Sequence, residues 1–196
     1  LQNAFREILK APITAKFGML VIVTYGFVAI FAPFLTPYGE TEIVGPEFDV
    51  WGDEFILGTD GLGRDMLTRL LFGARNTVGI AFITTVLAFA IGGIMGLLAA
   101  IYTGWFDQVA SRVVDVLMAI PQLIFALMLL TIFGTSIPIL IIVIATLDAT
   151  RIFRVTRAVS LNVVVLDYFE AARLRGERIF WLCIREILPN ITAPLL

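Results

Sequence analysis

Four long apolar runs leave this chain few ways to fold. The first extends from Phe17 to Leu35 and is closed by Pro33 and Pro37, the second from about Thr77 to Tyr102, the third from Val113 to Phe133, and the fourth from Ile137 to the neighbourhood of Phe153. A helix rises about 1.5 Å per residue and the hydrocarbon core of a bilayer is about 30 Å thick, so about 20 such residues make one crossing. Apolar residues are 59% of the chain and charged residues only 15%, with a mean hydropathy of +0.96. That balance belongs to an integral membrane protein. The expected fold is all-α and polytopic, with four transmembrane helices. The fourth is the shortest, because Ile137 to Leu147 covers only about 16 Å of helix before Asp148 and Arg151. The helix is expected to continue past them, with Arg151 and Arg154 reaching for the interface. Gly134, Thr135 and Ser136 form the turn between the last two spans.

Charge sets the orientation. The segment from Thr36 to Asn76 carries eight acids against Arg64, Arg69 and Arg75, whereas Arg151 to Pro189 carries seven arginines against Asp167, Glu170, Glu177 and Glu186. By the positive-inside rule the first is external and the second cytosolic, which also puts the N-terminus, with Arg6, Lys10 and Lys16 against Glu7, in the cytosol. The first run is too long for the apolar region of a signal peptide and no small-residue cleavage site follows it, so it stays as an anchor. The expected organisation is a cytosolic segment with the first span over 1–38, an external loop over 39–76 and a helical core over 77–196. The chain begins at Leu1 without a methionine and stops as Ile191, Ala193, Leu195 and Leu196 open a new apolar run, so it reads as a fragment.

Several chemistries are excluded. Histidine is absent and Cys183 is the sole cysteine, so neither a disulfide framework nor a Cys/His zinc site can be built, and no metal or cofactor is expected on this chain. No basic patch suits a nucleic acid. The glycines of Leu57 to Asp65 lack both a Lys-Ser/Thr ending and a preceding strand, so they form neither a phosphate loop nor a dinucleotide fingerprint.

Within the core, Ala88, Gly92, Gly96, Ala100 and Gly104 recur every four residues and define one stripe on which another helix can approach closely. Pro121 removes a backbone donor inside the third span, which predicts a kink and makes it a candidate gating residue. Arg112 and Asp115 are spaced to pair on one face. Asp148 is the carboxylate deepest in an apolar run. At the bilayer centre it costs about 3 kcal/mol, so pairing with Arg151 or Arg112 is expected, with a pathway role as the alternative. In the outer loop, Met66, Leu67, Leu70, Leu71 and Ala74 share a helical face, which predicts a short amphipathic helix at the interface feeding the second span.

From about Val155 the chain turns amphipathic. Ala171 and Ala172 give a face without bulk, Glu170 is spaced to pair with Arg173 or Arg154, and Gly176 permits the left-handed conformation that ends one helix and starts another. Ile179, Leu182, Cys183 and Ile187 form a second apolar stripe, which Pro189 is expected to stop. Periodicity alone describes two short helices with an exposed elbow, and an ordinary surface hairpin has the same periodicity.

The spacing says more. Glu170-Ala171-Ala172, then Gly176, then Leu188-Pro189 twelve and thirteen residues on resembles the EAA loop of binding-protein-dependent ABC importer permeases, with Glu186 where the general pattern has an apolar residue. The segment Leu57-Gly58-Thr59-Asp60-x-x-Gly63-Arg64-Asp65, with Arg69 to Arg75 after it, resembles the stretch before the second span in the C-type permease of dipeptide, oligopeptide and nickel importers. Phe31 to Tyr38, and Arg112-x-x-Asp115 through Pro121, are similar to other parts of the same subunits, so the resemblance covers nearly the whole chain.

The resemblance implies a type I importer-like permease of six spans, of which the last two are not in this chain. It also implies a second homologous permease subunit, cytosolic ATP-binding subunits that carry the ATP and magnesium, and an external solute-binding protein. Glu170, Ala171, Ala172, Gly176, Leu188 and Pro189 then form the loop that docks on the ATPase. The acidic outer loop, with Gly58, Thr59, Asp60, Gly63, Arg64 and Asp65, is a contact for the binding protein or a lid. The chain itself is not an enzyme, since it has no Walker lysine loop. Two other readings fit the residues: a secondary transporter without ATP coupling, and a membrane scaffold that recruits a partner through the same elbow.

Overall fold

The computed structural model describes residues 12–195, with side chains from 12 to 192. Arg6, Glu7, Lys10 and Leu196 lie outside the described residues. The chain divides into two compact units, Leu1–Ala81 and Phe82–Leu196.

In the first unit, α1 (Ile13–Leu35) is a single apolar helix with Pro33 in its last turn. Proline there costs little, because the helix is about to end and few backbone bonds remain to be lost. Thr36 closes it, its hydroxyl sharing one proton between the Ala32 carbonyl at 3.3 Å and the Tyr38 carbonyl at 3.2 Å. An irregular segment of about 30 residues then leads to α2 (Met66–Ile101). Asp65 caps α2, accepting bonds from the Thr68 amide at 2.8 Å and the Thr68 hydroxyl at 2.6 Å. Such a cap satisfies otherwise orphaned amides of the first turn. The amphipathic piece expected at the interface is therefore not a separate helix. It is continuous with the second span, because no proline lies between Met66 and Thr77 and the one glycine there, Gly73, stays in the helix.

The second unit holds the far end of α2 and the helices after it. Gly104 does not extend the small-residue stripe as expected, since α2 ends at Ile101 and Gly104 lies in the turn before the next helix. That helix, α3 (Trp105–Ala119), begins eight residues earlier than the apolar run. Its continuation α4 (Gln122–Phe133) is bent from it by 92°. The kink expected at Pro121 is thus a full break, with Ile120 extended and Pro121 starting the new helix, where a missing amide costs nothing. The fourth run becomes α5 (Ile137–Val164), a helix of 28 residues that passes Asp148, Arg151, Arg154 and Arg157 without interruption. By length and composition α1 and α2 can cross a membrane, and the bent pair α3–α4 adds a third crossing if taken as one span; α5, expected as the fourth span, is not among them, because Asp148, Arg151 and Arg154 interrupt its apolar run.

Helix α5 packs on α2 along the small-residue stripe. A Cβ at Gly92 would meet the Ala149 carbonyl, and one at Gly96 would lie 2.8 Å from both the Phe153 carbonyl and the Thr156 Cβ. Ala88 and Ala100 are buried on the same stripe. On α5 the facing residues Ala149, Phe153, Thr156, Ser160 and Val163 are buried and spaced alternately four and three apart. The backbones approach because α2 carries only glycine and alanine at the seam, which is how helices associate where lipid removes the hydrophobic drive.

After α5 come α6 (Asp167–Leu174) and α7 (Ile179–Trp181), a π-helical turn over Leu182–Ile187, and α8 (Leu188–Leu195). Pro189 does not stop this last stretch. The wider π turn sits just ahead of it, where the ring would otherwise crowd the carbonyl of the preceding turn, and the helix continues.

Candidate functional site

Two glycine-punctuated polar segments hold most of the residues singled out in the sequence, and they are built in opposite ways. In the segment before α2, the motif residues are spent on one another. The Thr59 hydroxyl donates to the Pro46 carbonyl at 2.6 Å and accepts from the Asp49 amide at 2.8 Å. The Gly63 carbonyl accepts from the amides of Val44 and Gly45. Gly63 has φ +71, and a Cβ there would run into the Gly45 carbonyl, so the turn admits no side chain.

Asp60 is the hub. It accepts from the amides of Leu62 and Arg64 at 2.8 and 3.0 Å, from Arg64 Nε at 3.2 Å and from Arg69 Nη1 at 2.6 Å. These donors hold its carboxyl at about 2, below its usual 3.8. The Arg64 amide has the largest effect, followed by the Leu62 amide, the Arg69 side chain and the charge of Arg64. Asp65 caps α2, and Gly58, with φ +75, leads into the Thr59–Asp65 bridge. Outward in this segment stand exposed apolar side chains, Ile43, Phe48, Val50 and Trp51, among exposed acids, Glu47, Asp53 and Glu54.

The elbow after α5 keeps its motif residues free except Ala172. Helix α6 ends in a Schellman cap, with the Gly176 amide bonding the Arg173 carbonyl at 3.0 Å and the Glu177 amide bonding the Ala172 carbonyl at 3.4 Å. Gly176, with φ +79, makes this geometry possible. Phe169 and Ala172 face inward, packed with Leu97, Ile101, Val163, Leu182, Ile187 and Ile191 in one apolar cluster. Glu170, Ala171, Leu174 and Gly176 face outward. The two alanines expected to form one face therefore divide, one serving as anchor and one as surface, because neighbouring helical positions lie about 100° apart.

Glu170 makes no ion pair among the described residues, and Arg154 bonds Asp115 instead, at 2.6 Å. Leu188 and Pro189 are exposed beyond the π turn. Cys183 is half-buried, and burial pushes its thiol up, so it stays protonated at neutral pH.

Pro121 and Asp148 are drawn together at the α3–α4 break. Asp148 accepts from Gln122 Nε2 at 2.9 Å, rather than pairing with Arg151 or Arg112 as expected. A polar cavity of about 130 Å³ opens at this point, lined by Pro121, Gln122, Thr150 and Arg151. Arg112 likewise does not hold Asp115, which Arg154 takes. The sequence reading missed Asp107, which receives both Nε and Nη2 of Arg157. A lone acid in the first turn of a helix looks like ordinary charge at a helix N-terminus, and no sequence signal joins it to a residue 50 positions away.

Residues 92–196 match the family described as binding-protein-dependent transport system inner membrane component. The chain is 31% identical over 201 residues to a dipeptide transport system permease protein of Alkalihalophilus pseudofirmus, covering 100% of this chain and 64% of that protein. It is 32% identical to the protein of the same description from Haemophilus influenzae, covering 93% of this chain and 64% of the relative. With a peptide transport system permease protein of Escherichia coli the identity is 31%, over 100% of this chain and 68% of the relative. The chain thus spans 64% of the length of the first two and 68% of the third. An all-helical membrane core, an outward-facing elbow and these matches together assign the chain to the family of binding-protein-dependent transport system inner membrane components.

Proposed function

We propose that this chain is the permease subunit of an ATP-driven importer, that it carries peptides, and that separate ATPase subunits drive it through the elbow between α5 and α8. The carrying observation is the division of α6. Phe169 and Ala172 fix the helix to the apolar cluster while Glu170, Ala171 and Leu174 stand free beside a rigid glycine cap. A partner pushing on that surface moves a packed unit rather than a loose loop. The positive-inside rule places this surface in the cytosol, where nucleotide-driven subunits work, and places the acidic segment before α2 outside. The peptide cargo follows from the relatives, whose names specify dipeptides or peptides. The outer segment, held by Asp60 and Thr59 with apolar and acidic side chains turned outward, is read as the surface that meets a solute-binding protein.

The test uses the full-length permease assembled with its second permease subunit and ATPase subunits in proteoliposomes. Glu170→Lys reverses the charge of the free surface, and Gly176→Leu strains the cap. Both are expected to abolish ATP-dependent uptake of labelled dipeptide and release the ATPase subunits while membrane insertion is retained. Unchanged uptake in both variants removes the docking claim. A nickel complex as competitor in the same assay separates the two cargo classes, and deleting Glu40 to Phe55 is expected to remove stimulation by the binding protein.

A further inference from the structure

Three polar ties join α5 to the broken pair α3–α4, and they fall in antiparallel register. Asp107 receives Arg157 through both Nε and Nη2. Asp115 receives Arg154 at 2.6 Å, and Gln122 donates to Asp148 at 2.9 Å. As α3 and α4 are followed from 107 to 122, α5 is followed backwards from 157 to 148. The ties thus span about 14 Å of α5 and cross the break at Pro121.

Their strengths differ. Arg154 and Asp115 are both more than half exposed, a situation in which ion pairs hold weakly. Asp107 is only 13% exposed and is gripped in two places by one planar guanidinium, with Ser111 donating to the same carboxylate at 3.2 Å. A two-point charge-assisted contact of this kind fixes direction as well as distance. Arg157 lies seven residues before the end of α5, and only Val165 and Leu166 separate that end from α6.

We propose that Arg157 and Asp107, seconded by Arg154 with Asp115 and by Asp148 with Gln122, are positioning residues of the transport step. They make α5 a strap that carries displacement of the α6 elbow to the break at Pro121. The proposal rests on the reading of α6 as the docking element. Beside the ties, an apolar cavity of about 400 Å³ between α2, α3 and α5 leaves room to slide. With them, the two sides of the break are held to one helix at fixed heights.

The experiment uses the full-length permease in the assembled transporter, reconstituted with its binding protein and assayed with a mixture of labelled di- and tripeptides. Asp107→Arg and Arg157→Asp, each alone, are expected to lower uptake at least tenfold while the ATPase subunits still co-purify in wild-type amount. The exchanged pair carrying both substitutions is expected to recover at least a third of wild-type uptake, which assigns the defect to the lost contact between the two residues, while the retained ATPase subunits show that assembly is intact. Wild-type uptake in the single variants, or an exchanged pair no better than the singles, overturns the proposal. Should Asp107→Arg fail to reach the membrane, Asp107→Asn carries the same test, with at least threefold lower uptake expected and unchanged uptake overturning it. Glu170→Lys run alongside separates the two claims, because failure of the docking reading leaves that variant with its ATPase subunits and its uptake, whereas failure of the strap leaves the Glu170→Lys defect in place.

Discussion

The segment before α2 and the elbow after α5 look alike as sequences and differ as structures. Both are polar, both turn on a glycine of positive φ, and both stand next to long apolar helices. In the first, Thr59, Asp60 and Asp65 bond within the segment and to the first turn of α2, and what faces outward is apolar side chains interspersed with acids that lie outside the motif. In the second, the backbone caps itself, an apolar cluster holds the inner face, and Glu170 stays free. The difference shows that a motif rich in glycine and charge says a segment is ordered without saying whether its side chains serve the fold or a partner.

The comparison is broken most sharply at its anchor. Phe169 is 1% exposed and Leu174 is 81% exposed on the same short helix. Phe169→Ala is expected to cost about 3–5 kcal/mol, the cost of emptying a packed aromatic site. Leu174→Ala is expected to leave stability within about 0.5 kcal/mol, as surface substitutions do. Thermal unfolding in detergent reads the first, and a faster reaction of Cys183 with maleimide reports that the cluster has opened. Equal effects from the two variants would dissolve the distinction between inner and outer faces.

A smaller effect sharpens the outer segment. Gly63→Ala puts a side chain at φ +71 against the Gly45 carbonyl, whereas a Cβ at Gly73 meets nothing within 4 Å. The first is expected to destabilise its segment by about 1–3 kcal/mol, read as faster limited proteolysis between residues 36 and 65. Gly73→Ala is expected to leave the cleavage rate unchanged or lower it, since alanine suits a helix better than glycine.

The smallest effect is one of pH. Asp60 has a folded value near 2, depressed from 3.8, so its contribution is fully present above 3.8 and is lost as the pH falls from there through about 2. Pepsin cleavage of the segment, normalised to an unstructured peptide, is expected to accelerate across that window and to stay flat above it. Asp60→Asn is expected to abolish the step, and a step that persists in that variant assigns it to another carboxylate.

Much of this was legible in the sequence, for reasons that can be located. The apolar part of α2 follows from run length, and the seam at Gly92 and Gly96 from four-residue spacing, because both are properties of one helix. The Gly176 cap was legible because only glycine enters that conformation freely. The extent of the break at Pro121 was not, since a proline inside an apolar run permits anything from a slight bend to 92°. The pairing of charges failed for a related reason. Arg112 and Asp115 are neighbours along one helix, and so are Asp148 and Arg151, yet Asp115 and Asp148 are taken by Arg154 and Gln122 from other elements.

The sequence by itself determined that this protein is helical, that it lives in a membrane and that it carries an elbow of fixed spacing. Run length against bilayer thickness, and the steric freedom of single residues, leave little else possible. Only the tertiary structure decided which charges meet, which alanine is anchor and which is surface, and how far the chain turns at Pro121. Those depend on the register of one helix against another, which arises from side chains 26 to 50 residues apart and is written in no local stretch of the chain.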